Sequence, residues 1–443
     1  MPKLSVVMIV KNEAECLPQC LAGVRAIADE LVICDTGSTD RTIAVAESFG
    51  ALVYPVPWID DFALARNSAL AHASGDWILH LDADEALDPG GAARLRELAD
   101  ADGLGADAIE VILANYCNDI RAWRWRPVTP GDPMARGYAG CIPVPLLRLF
   151  RNGRGFEYRE PVHENITESV VERGGIVRTE PVIIHHYGYA CAPEKARGKA
   201  RVYLEIGRKK TKDRPTDPKA WHDLAEQALA AGFADEAEAA ARQAVNLAPG
   251  NIAPATTLAN LLLTRGEFDS ARKLLEPFAG PDAPAHVLTA LGALAFRQGR
   301  MQDARALLEQ AVAMHPWALM AWQCLARVLD AEGDPAGARA MLENAARKAP
   351  GIKEFGNLLQ AHDARRNAQA ALDKGLLQEA LQQVNQALAL DPEDPLSHLA
   401  AAAALEKAGQ PRAAETCRRR ACQLCPAVTD RQHVKAQFLR LPP

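Results

Sequence analysis

The stretch WILHLDADEAL, Trp77 to Leu87, runs from apolar residues into three carboxylates, Asp82, Asp84 and Glu85. Two carboxylates about 6 Å apart repel by roughly 3 kcal/mol at an effective dielectric near 20. They persist together where water screens them, where one takes a proton, or where a cation sits between them. Other chemistry-bearing residues also follow apolar runs. Glu13 comes after LSVVMIV and Asp35 after LVIC. His163 and Glu164 stand in FEYREPVHENI, and His185 and His186 end PVIIHH.

The elements that must position these groups alternate between strand and helix. The pattern predicts strands over Leu4–Val10, Leu31–Cys34, Ala51–Val56 and Trp77–Leu81. Between them it predicts helices over 14–28, Asp40–Phe49 and Asp61–Ala73. Strands apolar on both faces, alternating with helices, indicate a parallel sheet covered on both sides. In such sheets the ligand crevice lies beyond the carboxyl ends of the strands. Glu13, Asp35, Asp82 and Asp84 all fall on that edge. No G-x-G-x-x-G follows the first strand, and no G-x-x-x-x-G-K-[ST] occurs. A diphosphate bound there needs another source of neutralisation. A divalent cation held by Asp82 and Asp84 would supply it, and hard oxygen ligands suit Mg²⁺ or Mn²⁺.

The C-terminal part repeats. Gly232, Gly266, Gly299, Gly333, Gly375 and Gly409 are spaced by 34, 33, 34, 42 and 34 residues. Ala237, Ala271, Ala304, Ala338, Ala380 and Ala414 each follow one of them by five residues, and Pro249, Pro316, Pro350, Pro392 and Pro426 follow by seventeen. Trp221 and Trp322 precede their glycines by eleven. Glycine serves a tight turn, alanine a close helix contact, and proline ends the second helix. The pattern resembles tetratricopeptide (TPR) repeats, about six copies over 217–427. The second copy is degenerate near Pro281 and Pro284, and the 42-residue step implies an eight-residue insertion around 351–360. Such stacks present a concave face that usually binds peptides or protein surfaces. A purely structural or dimerising array is the plainer alternative.

A chain of 443 residues, 49% hydrophobic and 24% charged, reads as a globular protein of two or three domains. Its net charge of −6 gives no argument for nucleic acid. The charge is uneven: residues 1–190 hold 17 Lys and Arg against 27 Asp and Glu, and 191–443 hold 33 against 29. Lys195 to Arg214 carries nine basic residues and two acids. That run is either a solvated helix face or a surface for an acidic partner or membrane headgroups. No apolar stretch reaches the ~18 residues of a membrane span. The opening MPKLSVVMIVKNEAE lacks a signal-peptide plan, and ten scattered cysteines suit a reducing compartment. The expectation is a cytoplasmic protein with free thiols, placed at the inner face of the membrane if the basic run meets lipid.

The segments LSVVMIVKNEAECLPQCL, LVICDTGSTDRT and ARNSALAHASGDWILHLDADE together resemble family 2 glycosyltransferases of GT-A fold, over roughly residues 1–190. With the PVHE and IHHYGY segments and the repeats, the chain looks like bacterial members that fuse the catalytic domain to TPRs. One branch of these modifies peptides or proteins, including on cysteine; another builds cell-envelope polysaccharide. The resemblance implies an inverting enzyme using a nucleotide sugar, UDP-linked, with Mn²⁺ or Mg²⁺. It places Lys11, Asn12 and Glu13 in the nucleotide site and Asp35 on the base or ribose, with Gly37 and Ser38 in the adjoining turn. It makes Asp82-Ala83-Asp84 the D-x-D motif. Arg66 and Asn67 match a helix segment whose arginine approaches the diphosphate or supports that motif. A late histidine, His185 or His186, is the expected third metal ligand. His163-Glu164 matches an H-E pair recurring in TPR-linked relatives, and one of the two is the expected base.

Plainer roles exist for several of these residues. Asp35-Thr36-Gly37-Ser38 also reads as an Asx turn before a helix. RAWRWRPV, 121–128, could stack on a sugar or simply pack a tryptophan. The domain reading is a GT-A α/β domain over 1–190, a basic helical linker over 191–216, an all-α TPR superhelix over 217–427 and a tail over 428–443. The functional reading is transfer of a hexose or N-acetylhexosamine to a peptide or protein recruited on the TPR concave face. Synthesis of an envelope glycan is the alternative acceptor class, and a non-catalytic binding scaffold is the alternative to an enzyme. Membrane contact and self-association stay open. A nucleotidyltransferase would need a glycine-rich first loop, and residues 4–20 contain no glycine.

Overall fold

Leu4–Val10 is apolar but for Ser5 because helices cover both of its faces. Leu4, Val6, Met8 and Val10 point into one layer with Leu17, Leu21 and Val24, whereas Val7 points into the other with Ala63 and Ala69. The structure, a computed structural model, describes residues 1–122, 124–188, 193–280, 282–349 and 351–429, with only the backbone of 193–197, 199 and 429. The expected tail thus lies outside the described residues from 430 onward, as do Trp123, Pro281 and Pro350. The chain divides into two compact units. One comprises Met1–Asn118 and Gly131–Thr257; the other comprises Asp119–Pro130 and the residues from Leu258 onward.

The strands are β1 (Leu4–Val10), β2 (Glu30–Asp35), β3 (Leu52–Pro55), β4 (Trp77–His80), β5 (Glu85–Leu87), β6 (Ala108–Cys117), β7 (Arg126–Pro127), β8 (Gly140–Arg151) and β9 (Val177–His186). In the first unit they run in the order β3-β2-β1-β4-β8-β6-β9-β5. The first four are parallel, with Val10 beside Asp35 and Val7 beside His80. Beyond β4 the sheet is mixed: β8 is antiparallel to β4 and β6, β9 is parallel to β6, and β5 is antiparallel to β9. The β5–β9 register sets Glu85 opposite His186 and Ala86 opposite His185.

Helices α1 (Leu17–Val24), α2 (Thr42–Ser48), α3 (Phe62–His72), α4 (Pro89–Asp100) and α5 (Thr167–Glu172) accompany the sheet. α3 starts where Asp61 caps it, its carboxylate accepting from Leu64 N at 2.8 Å. That cap fixes the helix phase that turns Arg66 toward the end of β4. The unit continues into α6 (Pro193–Asp213), α7 (Pro218–Ala231) and α8 (Ala234–Leu247). Of the basic run, Arg208 pairs with Glu205 and Glu236, while Lys210 and Arg214 pair with Glu160. These three are therefore committed inside the unit rather than offered to an external acid. The side chains of Lys195, Arg197 and Lys199 lie outside the described residues.

α9 (Ile252–Thr264) leads into the second unit, which holds α10 (Phe268–Leu275), α11 (Ala285–Arg297), α12 (Met301–Met314), α13 (Leu319–Ala331), α14 (Pro335–Lys348), α15 (Lys353–Asp373), α16 (Leu377–Leu390), α17 (Pro395–Lys407) and α18 (Pro411–Leu424). All six repeat glycines have φ between 74° and 88°, a region where a Cβ is costly. All six repeat alanines are fully buried. The 42-residue step becomes helix rather than loop: α15 has 21 residues, against 13 in α13 and in α17. The degenerate second copy shows in α10, only 8 residues long.

Between α13, α15 and α17 lies a buried ion network. Arg327 meets Asp391 at 2.9 Å, Arg365 meets Asp394 at 3.1 Å, and Asp330 pairs with Arg365 and with His362. The end of α18 also returns to α11, where Arg297 donates to Gln423 O at 2.6 Å. Cys20, Cys34, Cys324, Cys417, Cys422 and Cys425 are free thiols, and Cys191 lies outside the described residues.

Candidate active site

The turn after β4 is closed twice. Glu85 N donates to Asp82 O at 3.1 Å, and the Glu85 carboxylate accepts from Asp82 N at 2.9 Å. Glu85 is buried, and its other oxygen lies 2.5 Å from Arg148 Nη2, on β8. Burial, with Asp82 adding to it, pushes the Glu85 carboxyl up to about 7 despite Arg148. So the third acid of WILHLDADEAL shapes the turn.

Asp82 sits between two guanidiniums. Its Oδ1 is 3.0 Å from Arg66 Nη1, and its Oδ2 is 3.6 Å from Arg148 Nη2. Burial works against its charge, but Arg66 and then Arg148 outweigh it and hold the carboxyl well below the usual range. Arg66 also contacts His80 Nε2, and its Nε donates to Glu164 Oε1 at 2.6 Å. His80 Nδ1 faces Tyr158 OH at 2.7 Å and Arg148 Nη1 at 3.1 Å. Burial and the two arginines keep His80 well below the ordinary imidazole range, hence neutral. Its Nε2, against Arg66, also stands 3.5 Å from Asp82 Oδ1. In this cluster two arginines are already matched by Asp82, Glu85 and Glu164. No positive charge is left over there for a diphosphate.

Asp84 points elsewhere. Its Oδ2 lies 3.5 Å from His186 Nε2, and its carbonyl accepts from Tyr187 N at 3.1 Å. Asn115 Oδ1 holds His186 Nδ1 at 2.6 Å. Burial lowers the His186 imidazole, but Asp84, Glu85 and Asp82 more than reverse this and raise it. Gly188 keeps the space open: a Cβ there would stand 2.5 Å from His186 Nε2 and 3.1 Å from Asp84 Oδ2. His185 faces the other side of β9, with Nδ1 2.8 Å from Tyr116 OH and Nε2 3.7 Å from Asp88. Strand alternation thus brings His186, not His185, to Asp84. A carboxylate and an imidazole this close, with the imidazole oriented by an amide and a glycine leaving room, fit a shared divalent ion. Among the described residues no cluster of three or more His, Cys, Asp or Glu forms a complete ligand set. Water or donor oxygens would have to supply the rest.

At the β1–β2 end of the edge, Asp35 folds back on its own turn. Its carboxylate accepts from Gly37 N and Ser38 N, each at 3.0 Å, while Gly37 has φ 105°. Ser38 Oγ accepts from Asn12 N at 2.9 Å, and Asn12 Oδ1 accepts from Thr39 N at 2.7 Å. Glu13 N donates to Thr42 Oγ1 at 2.8 Å. Lys11 is exposed beside this braced pair of loops. The structure therefore brings Lys11, Asn12, Glu13, Asp35, Gly37 and Ser38 together at one corner.

The expected Arg66-Asn67 and His163-Glu164 pairs each split. Asn67 clamps backbone, giving Nδ2 to Tyr158 O at 2.9 Å and taking Tyr158 N at 2.7 Å. Glu164 turns to Arg66, whereas His163 is exposed and turns to Gln227 and the Tyr203 ring. Ala83 is buried in the turn. Trp125 of RAWRWRPV is fully buried, which fits a packed tryptophan. Sequence reasoning missed His80, Asn115, Arg148 and Tyr158. Lone polar residues inside apolar runs, His80 in WILHL and Arg148 in PVPLLRLF, were the available signals.

A sheet edge of braced loops and carboxylates, followed by helix pairs in a fixed phase, defines a GT-A-like α/β domain joined to helical repeats. The family model described as glycosyl transferase family 2 matches residues 5–165, and a tetratricopeptide repeat model matches 228–294 and 295–361. The chain carries a family 2 glycosyltransferase domain at its N-terminus and tetratricopeptide repeats at its C-terminus. It is 37% identical over 209 residues to a TPR repeat-containing protein of Synechococcus elongatus, covering 45% of this chain and 46% of that one. It is 41% identical over 85 residues to an uncharacterized glycosyltransferase of Rickettsia bellii, covering 19% and 29%. To the lipopolysaccharide core biosynthesis glycosyltransferase LpsC of Rhizobium meliloti it is 33% identical over 174 residues, covering 37% and 56%. The chain thus spans less than two thirds of each of these relatives.

Proposed function

We propose that this chain is a metal-dependent, inverting glycosyltransferase that uses a nucleotide-sugar donor, a UDP-hexose or UDP-N-acetylhexosamine. The observation that carries this reading is the Asp84–His186 pair, 3.5 Å apart at the sheet edge beside Gly188. Because Arg66 and Arg148 are already matched by acids, the donor diphosphate needs a cation of its own. Asp84 and His186 would hold Mn²⁺ or Mg²⁺, with Asp82 fixed beside them. When bound, that ion stabilises the departing diphosphate as a Lewis acid. The corner formed by Lys11, Asn12, Glu13, Asp35, Gly37 and Ser38 would receive the nucleoside. Glu164 is the member of the His163-Glu164 pair that faces this site. Arg66 holds its Oε1, and the second oxygen is assigned to take the acceptor proton as the acceptor attacks the anomeric carbon. The bond from that carbon to the diphosphate breaks in the same step.

A peptide or protein acceptor, recruited by the repeats, is the first reading of the acceptor. An envelope glycan is the second, and two observations support it. One relative is named for lipopolysaccharide core biosynthesis. The face between α13, α15 and α17 is filled by its own ions rather than left for a peptide. Among the described residues no helix is long and apolar enough to cross a membrane.

The test of the donor reading is calorimetric binding of UDP, UDP-glucose and UDP-N-acetylglucosamine, with and without Mn²⁺, to wild type and Asp84→Asn. Metal-dependent binding that the substitution abolishes is expected. Binding that ignores both metal and Asp84 sinks the reading. For the acceptor, gene deletion in the host should remove a glycopeptide under the first reading. Under the second it should alter a surface polysaccharide.

A further inference from the structure

The chain from Arg159 to Asn165 is a tight hairpin, its ends joined by backbone hydrogen bonds of 3.0 and 3.1 Å in opposite directions. Two non-glycine residues in it, Glu160 at φ 78° and His163 at φ 55°, lie in the left-handed region. Such residues persist only where the surroundings impose the shape. Here the surroundings are charges on two sides. On the sheet side Glu164 takes Arg66 Nε at 2.6 Å, and Arg66 reaches Asp82 at 3.0 Å. On the helix side Glu160 receives Lys210 Nζ at 2.7 Å and Arg214 Nη1 at 2.5 Å.

Lys210 is the residue in this frame with the least access to water, its side chain only 1% exposed. Besides Glu160 it donates to Asp223 of α7 at 2.9 Å. Helices α6 and α7 touch closely here, because a Cβ on Gly207 would collide with Gln227 Oε1. A rigid frame thus runs from α7 through Lys210 and the hairpin to the residues around Asp82.

We propose that Lys210 is a positioning residue for the donor site. It neutralises Glu160, seats the hairpin, and so keeps Glu164 on Arg66 and Arg66 on Asp82. Asp223 makes α7, the helix preceding the first repeat glycine, part of the same frame. The proposal rests on reading the Asp82–Asp84 turn as the donor site, and its test separates the two.

The experiment measures UDP binding with Mn²⁺ by calorimetry on the full chain for wild type, Lys210→Met, Glu164→Gln and the double variant. Lys210→Met should weaken binding about tenfold, as loss of an outer supporting contact commonly does. Lys210→Arg should restore most of it. Once Glu164→Gln has removed the charge that ties the hairpin to Arg66, adding Lys210→Met should weaken binding no further. Full additivity, or wild-type affinity in Lys210→Met, overturns the proposal. Arg208→Gln, on the same helix but paired with Glu205 and Glu236, should leave binding unchanged. If Lys210→Met does not fold, Glu160→Gln tests the same link. If wild type binds no nucleotide, the donor reading fails, and amide exchange in the same variants decides the frame alone. Amides of α3 near Arg66 and of the Asp82–Glu85 turn should then exchange at least about tenfold faster in Lys210→Met, with the same non-additivity. Unchanged exchange overturns the proposal.

Discussion

His186 Nε2 stands 3.5 Å from Asp84 Oδ2, and a Cβ added to Gly188 would stand 2.5 Å from the first and 3.1 Å from the second. Asn115 fixes the far nitrogen of the same imidazole at 2.6 Å. Gly188→Ala should therefore reduce metal-dependent nucleotide binding about tenfold without unfolding the domain. Asn115→Ala should act in the same direction by releasing the ring. Calorimetric titration with Mn²⁺ checks both. Unchanged affinity in Gly188→Ala would remove this pair from the donor site.

Arg148 is buried among Glu85, Asp82 and His80. Arg148→Met leaves buried Glu85 without its guanidinium, whereas Asp82 keeps Arg66. Removing one partner of a buried pair costs about 3–5 kcal/mol. Urea unfolding should show a loss of that order. Adding Glu85→Gln removes one stranded charge and should recover part of it.

His286, in the second unit, is half-buried, and burial with Arg124 nearby lowers its imidazole to about 4. The unfolded chain binds that proton near pH 6.5, so between pH 6.5 and 4 the unfolded state holds more protons. Stability is complete above this window and falls as pH drops through it. The slope approaches about 1.4 kcal/mol per pH unit, for a total near 3 kcal/mol. Unfolding of the full chain at pH 7 and 4.5 measures the loss. His286→Gln should flatten the dependence, and an equal slope in that variant would rule out this histidine as its source.

Ala304 is fully buried where α12 meets its neighbours. Ala304→Leu should destabilise the second unit by about 1–3 kcal/mol through overpacking. Gly299, at φ 76°, should cost about 1 kcal/mol on replacement by alanine. Exposed Gln302 on the same helix, replaced by alanine, should change stability by less than about 0.5 kcal/mol. Thermal unfolding of the three variants distinguishes the repeat contacts from a general sensitivity of the helix.

The sequence by itself determined the parts that depend on near neighbours in the chain. The run Leu4–Val10, apolar but for Ser5, required a strand covered on both faces, and Asp82 and Asp84 had to follow a strand end. The glycines and alanines of the repeats required a turn at φ > 0 and a close helix contact, and their phase survived a 42-residue step. Only the tertiary structure decided which distant residues meet. Adjacent histidines on a strand must point to opposite faces, but the β5–β9 register selects His186 for Asp84. Glu85 and Arg148 meet because β8 returns beside β4, and Lys210 is buried because α6 lies against α7 and the hairpin. Local periodicity reports the face on which a side chain sits. Whether that face meets water or an opposite charge depends on the path of the intervening chain.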